Sequence, residues 1–97
     1  MRMLMKVQMD TAAANRAIGD GTLPKLLRST MEHLKPEAAY FTTSDGARTG
    51  YLVFDLTDPA QIPAAAEPFF MELQAKIDFV PVMSAEDVQT GLQSLMR

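Results

Sequence analysis

A tight turn is predicted at Asp45-Gly46, in the middle of the segment YFTTSDGARTGY, residues 40–51. This dipeptide favours a two-residue type I′ turn, because both central residues of that turn take positive φ and Gly does so without steric cost. A turn at these positions fixes the register of the two flanking strands and sets Tyr40 opposite Tyr51. The segment is therefore predicted to be a β-hairpin with one defined pairing.

This register divides the side chains of the hairpin between two faces, because successive residues of a strand point to opposite sides. One face is apolar and suited to lie beneath helices: Ala39, Phe41, Leu52, Phe54 and Leu56. The other face is mixed and rich in hydroxyl groups: Tyr40, Thr42, Thr49, Tyr51, Val53 and Asp55. The apolar face can be covered by helices, so the question is what covers the mixed face.

The first third of the chain predicts a strand and two helices. Residues 2–9 place apolar side chains inward with a period of two, which is typical of a half-buried strand. An alanine-rich helix capped by Asp10 or Thr11 follows. A second helix begins after the Gly-Asp-Gly segment 19–21 and ends before Pro36. Its predicted core-facing stripe is Leu23, Leu27, Met31 and Leu34.

A third helix is predicted after the hairpin. Asp58 is a good N-cap and Pro59 a good first helical residue. Pro63 and Pro68 are expected to bend or split this helix, since each lacks an N–H donor and crowds the preceding turn. Its apolar residues with helical spacing are Ile62, Ala66, Phe69, Phe70 and Leu73.

The chain closes with a predicted strand and a predicted helix. The strand is KIDFVPVM, residues 76–83, and its Pro81 favours an edge position in the sheet. Ser84 and Asp87 have the spacing of a capping box and begin the terminal helix. The apolar stripe of that helix is Val88, Leu92, Leu95 and Met96.

The resulting order, βαββαβα, resembles the ferredoxin-like α/β sandwich and in particular the dimeric α/β-barrel superfamily. The resemblance spans essentially the whole chain and is carried by topology rather than by a sequence motif. It implies an α+β fold of one domain, residues 1–97, with an antiparallel four-stranded βαββαβ sandwich and an added C-terminal helix. It also implies a homodimer whose two sheets face each other, so that a second copy would cover the mixed face of the hairpin.

Composition narrows the classes of function. At 97 residues the chain buries a modest core and gains from self-association. It has no Cys and one His, which excludes disulfides and thiolate nucleophiles and makes a metal site unexpected. A net charge of −3 disfavours nucleic acid, and the N-terminal segment MRMLMKVQMD lacks the pattern of a secretory signal. With no run near the ~20 apolar residues of a membrane span, we expect a cytoplasmic homodimer with no cofactor, nucleic-acid partner or membrane partner.

Most candidate site residues lie on the mixed face. Tyr40 and Tyr51 are interpreted either as an aromatic pair that fills a dimer interface or as the wall of a pocket. The predicted ligand-binding residues are Tyr40, Tyr51, Thr42, Thr49, Gln8 and Lys6. The ligand itself is expected to be apolar or aromatic, because the chain has no acidic cluster for a cation and no basic cluster for a polyanion.

A second cavity stays open at this stage, between the sheet and the helices near Phe41, Phe54, Phe69 and Phe70, although core packing explains the same four residues. The family resemblance also includes cofactor-independent enzymes of the monooxygenase, isomerase and dehydratase types. Such a reaction needs a base near a substrate proton. The catalytic candidates are His33, Tyr51 and Asp55. His33 is first of all interpreted as a partly exposed helix residue, and it is also the best single candidate for a general base. Two functions therefore remain: a small-ligand-binding homodimer, or a small enzyme.

RNA binding is the alternative that the strand order raises, because RNA-recognition motifs share the βαββαβ order. The segment RTGYLVFDL, residues 48–56, matches their third-strand signature poorly. Leu52 stands where Gly or Ala is expected, and Val53 stands where a stacking aromatic is expected. The first strand has no aromatic residue, so we do not predict this function.

Overall fold

The computed structural model describes residues 1–96. Its strands and helices, in chain order, are β1 (Arg2–Gln8), α1 (Thr11–Gly19), α2 (Thr22–Leu34), β2 (Ala38–Ser44), β3 (Ala47–Asp55), α3 (Gln61–Leu73), β4 (Lys76–Pro81) and α4 (Ala85–Gln93). The predicted order of elements is confirmed, with the first helical region divided into α1 and α2.

The four strands form one open sheet in the order β2-β3-β1-β4, and each neighbouring pair is antiparallel. The first strand of the chain thus lies inside the sheet, while β2 and β4 form its edges. Pro81 at the end of β4 is at an edge, as predicted, where its missing N–H costs no ladder hydrogen bond. The predicted α+β fold, a ferredoxin-like sandwich with an added C-terminal helix, is confirmed.

The hairpin between β2 and β3 has the predicted register. Asp45 and Gly46 occupy the turn with φ of 52° and 75°. Tyr40 lies opposite Tyr51. The division of the hairpin into an apolar face and a mixed face is therefore confirmed.

Helix α2 buries a different residue from the one predicted. Met31 is 40% exposed, and its neighbour Thr30 is buried at 8%. The hydroxyl of Thr30 donates to the carbonyl of Leu26 at 2.9 Å. Because that hydrogen bond satisfies the hydroxyl inside the helix, Thr30 can be buried without an unpaired polar atom.

Helix α3 begins later than predicted and is not split. Its N-cap is Ala60 instead of Asp58. The Asp58 carboxylate accepts from the Ala60 N–H at 2.8 Å, which orders the turn before the helix. Pro63 falls in the first turn, where no helical donor is required, and Pro68 lies within the continuous helix.

The core lies between one face of the sheet and helices α1, α2 and α3. The sheet contributes Met3, Met5, Val7, Leu52 and Phe54. The helices contribute Ala14, Ala17, Leu23, Ala65, Phe69 and Leu73. The rings of Phe54 and Phe79 meet edge to face, with centroids 6.4 Å apart.

Helix α4 lies apart from this core. Its predicted capping box is confirmed, with the Ser84 and Asp87 side chains each accepting from the other's backbone N–H. None of its residues is buried. Its apolar side chains, Val88 and Leu92, are 40% and 56% exposed. Leu95 and Met96, which were also predicted for its stripe, lie beyond the end of the helix at Gln93. No helix within residues 1–96 has the length and apolar character needed to cross a membrane.

Candidate functional site

The sheet has a second face, which points away from α1, α2 and α3, and we call it the outer face. Directly paired residues of neighbouring strands lie side by side, so the strand registers order this face into rows that cross the whole sheet. The hydroxyl row is Thr42, Thr49, Gln8 and Lys76. The aromatic row is Tyr40, Tyr51, Lys6 and Asp78. The aliphatic row is Ala38, Val53, Leu4 and Val80.

Two members of the hydroxyl row, Gln8 and Thr49, are fixed by hydrogen bonds to backbone carbonyls of the hairpin. The Gln8 side-chain amide donates to the carbonyl of Ser44 at 2.8 Å, which takes it from β1 across β3 to β2. Thr49, its cross-strand partner on β3, is 1% exposed and donates its hydroxyl to the carbonyl of Ala47 at 3.1 Å. Gln8 and Thr49 therefore form an ordered polar floor, and Thr42 at its edge is exposed.

The aromatic row combines two phenol rings with two opposite charges. Tyr40 is 73% exposed, while Tyr51 is half-buried. The Lys6 ammonium lies 6.0 Å from the centroid of the Tyr51 ring, at the outer limit of a cation–π contact. Asp78 lies directly opposite Lys6 on β4. An apolar ligand laid on Tyr40 and Tyr51 would thus have charged groups at one end.

The aliphatic row presents apolar side chains from all four strands. Leu4 and Val53 at its centre are half-buried, and Val80 at the β4 edge is 46% exposed. Polar residues are the usual occupants of a solvent-facing sheet surface. A row without one polar side chain is therefore a surface suited to contact with another apolar surface.

Charged groups occupy the outer face beyond the aliphatic row. The N-terminal ammonium donates to the Asp55 carboxylate at 2.8 Å. The Arg2 guanidinium donates to Glu37 at 2.6 Å. This hydrogen bond, followed by the charge of Glu37, raises the pKa of Arg2 above its ordinary value. The Asp55 carboxylate, a catalytic candidate from the sequence, is thus paired with the N-terminal ammonium.

A groove of about 410 Å³ lies on the other side of the molecule, between α2 and α3. Its lining is Leu26, Ser29, Thr30, His33, Leu34, Gln61, Ala64, Ala65 and Pro68. The His33 Nδ1 is 2.7 Å from the carbonyl of Ser29. A carbonyl only accepts, so Nδ1 carries the proton, and Nε2 of the neutral ring is an acceptor. The groove is within the size range of small-molecule sites.

The six predicted ligand-binding residues come together on the outer face. Gln8, Thr42 and Thr49 share the hydroxyl row. Lys6, Tyr40 and Tyr51 share the adjacent aromatic row.

The three catalytic candidates do not come together. Tyr51 and Asp55 are four residues apart on one face of β3, a separation of about 13 Å. His33 is on α2, on the opposite side of the sheet.

Of the four phenylalanines near the second cavity proposed from the sequence, two are core residues and two are exposed. Phe54 and Phe69 are each 1% exposed and fill the core. Phe41 and Phe70 are 52% and 41% exposed at its margin.

The groove between α2 and α3 was not predicted from the sequence. Ser29 and His33 are four residues apart on α2, a spacing that places them on one helix face. That spacing is the signal available in the sequence for the α2 wall. The α3 wall depends on how two helices approach each other, which no local pattern specifies.

Within residues 1–96, no three His, Asp or Glu side chains lie close enough together to hold a metal ion. A family described as "Domain of unknown function (DUF3303)" matches residues 1–96 of the chain. No curated protein matches it.

Proposed function

Since the chain belongs to the DUF3303 family, we propose from its geometry that it forms a homodimer through the outer face and binds a small apolar or aromatic ligand there. The aliphatic row is the observation that carries this proposal. It crosses the whole sheet on the face opposite the core, and its two central side chains are half-buried. Burying an apolar row of this kind against a second copy is favourable by roughly 25 cal/mol per Å² of apolar surface.

The order of residues within the row suits a two-fold contact. In such a contact residue i of one copy meets residue j of the other, and j meets i. A two-fold axis along the strands sets Val53 against Leu4 of the second copy, and Ala38 against Val80. The larger side chains meet at the centre of the sheet, and the small Ala38 leaves room for the valine.

The aromatic row is complementary to itself under the same axis. Lys6 would approach Tyr51 of the second copy, which adds to the cation–π arrangement within one chain. Tyr40 would approach Asp78 of the second copy, and a phenol can donate to a carboxylate. Each charged group of the row thus meets a tyrosine of the second copy, and no like charges are forced together.

The ligand would lie beside the aromatic row, above the hydroxyl row. Packed sheets are about 10 Å apart, a distance that Tyr side chains span and Thr side chains do not. The short Thr42 and Thr49 would therefore leave a gap between facing sheets, walled by Tyr40 and Tyr51. Few polar groups are needed to orient an apolar ligand in such a space.

Sedimentation equilibrium tests the dimer, and Val53→Asp is the decisive variant. Its carboxylate would have to be desolvated in the contact, so we expect the dissociation constant to rise about tenfold or more. Met71→Asp adds the same charge on α3, where residue 71 is 72% exposed, and is expected to change dimerisation little. A wild-type chain that remains a monomer at 100 µM protein, or equal dimerisation of both variants and wild type, contradicts the proposal.

A thermal-shift screen of hydrophobic aromatic metabolites tests the ligand. A ligand at ~100 times its Kd should stabilise the folded state by about 2.7 kcal/mol. The Tyr40→Ala, Tyr51→Ala variant should lose the shift while still forming a dimer. Absence of any stabilising compound, or hits that persist unchanged in this variant, would show that the aromatic row is not the site.

The groove beside His33 favours a second candidate, a cofactor-independent enzyme. With its Nδ1 donating to the carbonyl of Ser29, the His33 ring would offer Nε2 as a base, with Ser29, Thr30 and Gln61 as nearby polar groups. One NMR titration with the screened compounds distinguishes the two functions. Shifts centred on the Tyr51 amide support the outer face, and shifts centred on the His33 ring support the groove.

A further inference from the structure

Helix α4 is the element that the rest of the chain does not explain. Its nine residues are capped by Ser84 and Asp87, and none of them is buried. An isolated helix of this length is only marginally stable in water, because its hydrogen bonds barely offset the cost of nucleation. A capped helix with an apolar stripe is therefore built to pack against a surface, and its own chain does not supply that surface.

The size of the molecule indicates how much surface lacks a partner. The chain exposes 6561 Å², whereas a monomeric protein of 10.7 kDa exposes about 5,500 Å². Its radius of gyration is 15.6 Å, against about 12.5 Å for a compact domain of this length. The excess surface is roughly 1,000 Å², slightly more than the ~800 Å² that one partner buries in a standard protein interface.

The position of α4 connects it to the outer face. The Val82 N–H donates to the carbonyl of Arg2, which fixes the end of β4 beside the start of β1. The pKa of Arg2 is raised mainly by Glu37, and the charge of Asp87, in the first turn of α4, adds to this in a small part. Arg2 on β1 and Asp55 on β3 are paired strand residues, and they are the last charged residues of the outer face at this end. The helix therefore leaves the chain at the rim of the surface proposed to be the subunit contact.

We propose that α4 is an arm that packs its apolar side chains Val88 and Leu92 against the second copy of this chain. This inference rests on the homodimer proposed above. In a two-fold dimer each α4 starts at the rim of the shared contact, because the end of β4 lies beside the start of β1. Each subunit would then contribute one sheet face and one arm, and both arms would cover apolar surface that the isolated chain exposes.

A matched pair of variants tests the arm. Leu92→Asp places a charge in the stripe, and Thr90→Asp places the same charge on the opposite side of α4. Because α4 buries nothing in its own chain, both variants should fold with wild-type far-UV circular dichroism. We expect Leu92→Asp to weaken the dimer about tenfold in sedimentation equilibrium, and Thr90→Asp to change it less than twofold.

A mixed dimer of ¹³C-labelled and unlabelled chains gives a second readout. Isotope-filtered NOEs from the Leu92 methyl groups to protons of the other chain are expected. A wild-type dimer that Leu92→Asp leaves unchanged, with no such NOE, overturns the arm and leaves the sheet contact standing. A wild-type chain that stays monomeric overturns the homodimer itself, and the arm with it.

Discussion

The ring of Phe41 lies directly against Gly50, its partner on the neighbouring strand. A Cβ at residue 50 would be 2.9 Å from Cε1 of that ring and 3.1 Å from Cδ1. Gly50 is buried on the core side of the sheet, where the other paired positions carry apolar side chains. Because residue 50 has no side chain, there is room for the Phe41 ring against β3.

We predict that Gly50→Ala lowers the free energy of unfolding by about 1 kcal/mol, because the Phe41 ring must move from its place against β3. In a Phe41→Ala background the same change should stabilise by about 0.5 kcal/mol, since Ala lowers the entropy of the unfolded chain. Urea denaturation of the four proteins in this double-mutant cycle measures the coupling. Additive effects within about 0.5 kcal/mol would mean that ring and glycine do not interact.

The hairpin turn gives a second prediction. Gly46 has a φ of 75°, so Gly46→Ala should cost about 1 kcal/mol of stability by placing a Cβ in the left-handed region. Asp45→Gly is the matched control, because Asp45 already has a positive φ of 52° and Gly adopts it more easily. Its effect should lie within about 0.5 kcal/mol of zero. Equal losses in both variants, measured by urea denaturation, would contradict the role assigned to the turn.

Local sequence patterns predicted most of this fold, because each of them is compatible with only one local structure. Asp45-Gly46 fixed the register of the hairpin, and Pro81 correctly indicated an edge strand. The errors arose where the tertiary environment decided the outcome. Thr30 replaced Met31 in the core because an internal hydrogen bond satisfied its hydroxyl, a choice that apolar periodicity does not show.

The part of the candidate site that lies on the sheet was predictable, because it depends on the same strand register as the hairpin. Alternation along the strands places Gln8, Tyr40 and Tyr51 on one face of the sheet, as predicted. Contacts between side chains on different helices were harder to predict, because no sequence spacing relates His33 on α2 to Gln61 on α3. The groove that these two residues line depends on the packing of whole helices.

The start of α1 gives a third prediction. The Asp10 carboxylate accepts from the Ala13 N–H at 2.9 Å and so caps the helix. Asp10→Ala should lower stability by about 1 kcal/mol in urea denaturation, because it leaves that donor without its partner. Asp10→Asn retains an acceptor oxygen and should lose much less. A loss as large in the Asn variant would indicate that charge, rather than the cap, is responsible.

The start of α4 gives a fourth prediction, on pH. Hydrogen bonds from Ser84 to the Asp87 carboxylate lower the pKa of Asp87 below its ordinary value. A carboxyl whose pKa is depressed in the folded state stabilises that state above its unfolded pKa and loses this contribution as pH falls through the folded pKa. We therefore expect α4 to fray in acid as Asp87 becomes protonated.

Carbonyl NMR of Asp87 and the amide shift of Ser84 should report this transition with one common midpoint. Asp87→Asn should remove the pH dependence of the Ser84 amide while the rest of the spectrum titrates as in wild type. Two unrelated midpoints in the wild-type chain would contradict the coupling.

The central position of β1 also determines how this chain can assemble. Its partners are residues 49–55 of β3 and 76–81 of β4, so every contact that it makes in the sheet closes a long loop. The hairpin β2-β3 closes locally and can form early, whereas long-range pairing is slow. During synthesis β1 is made before both of its partner strands, and its inward side chains Met3, Met5 and Val7 have to wait for the helices that cover them. The sheet is therefore completed only once β4 has been made, because β1 needs β4 as its second neighbour.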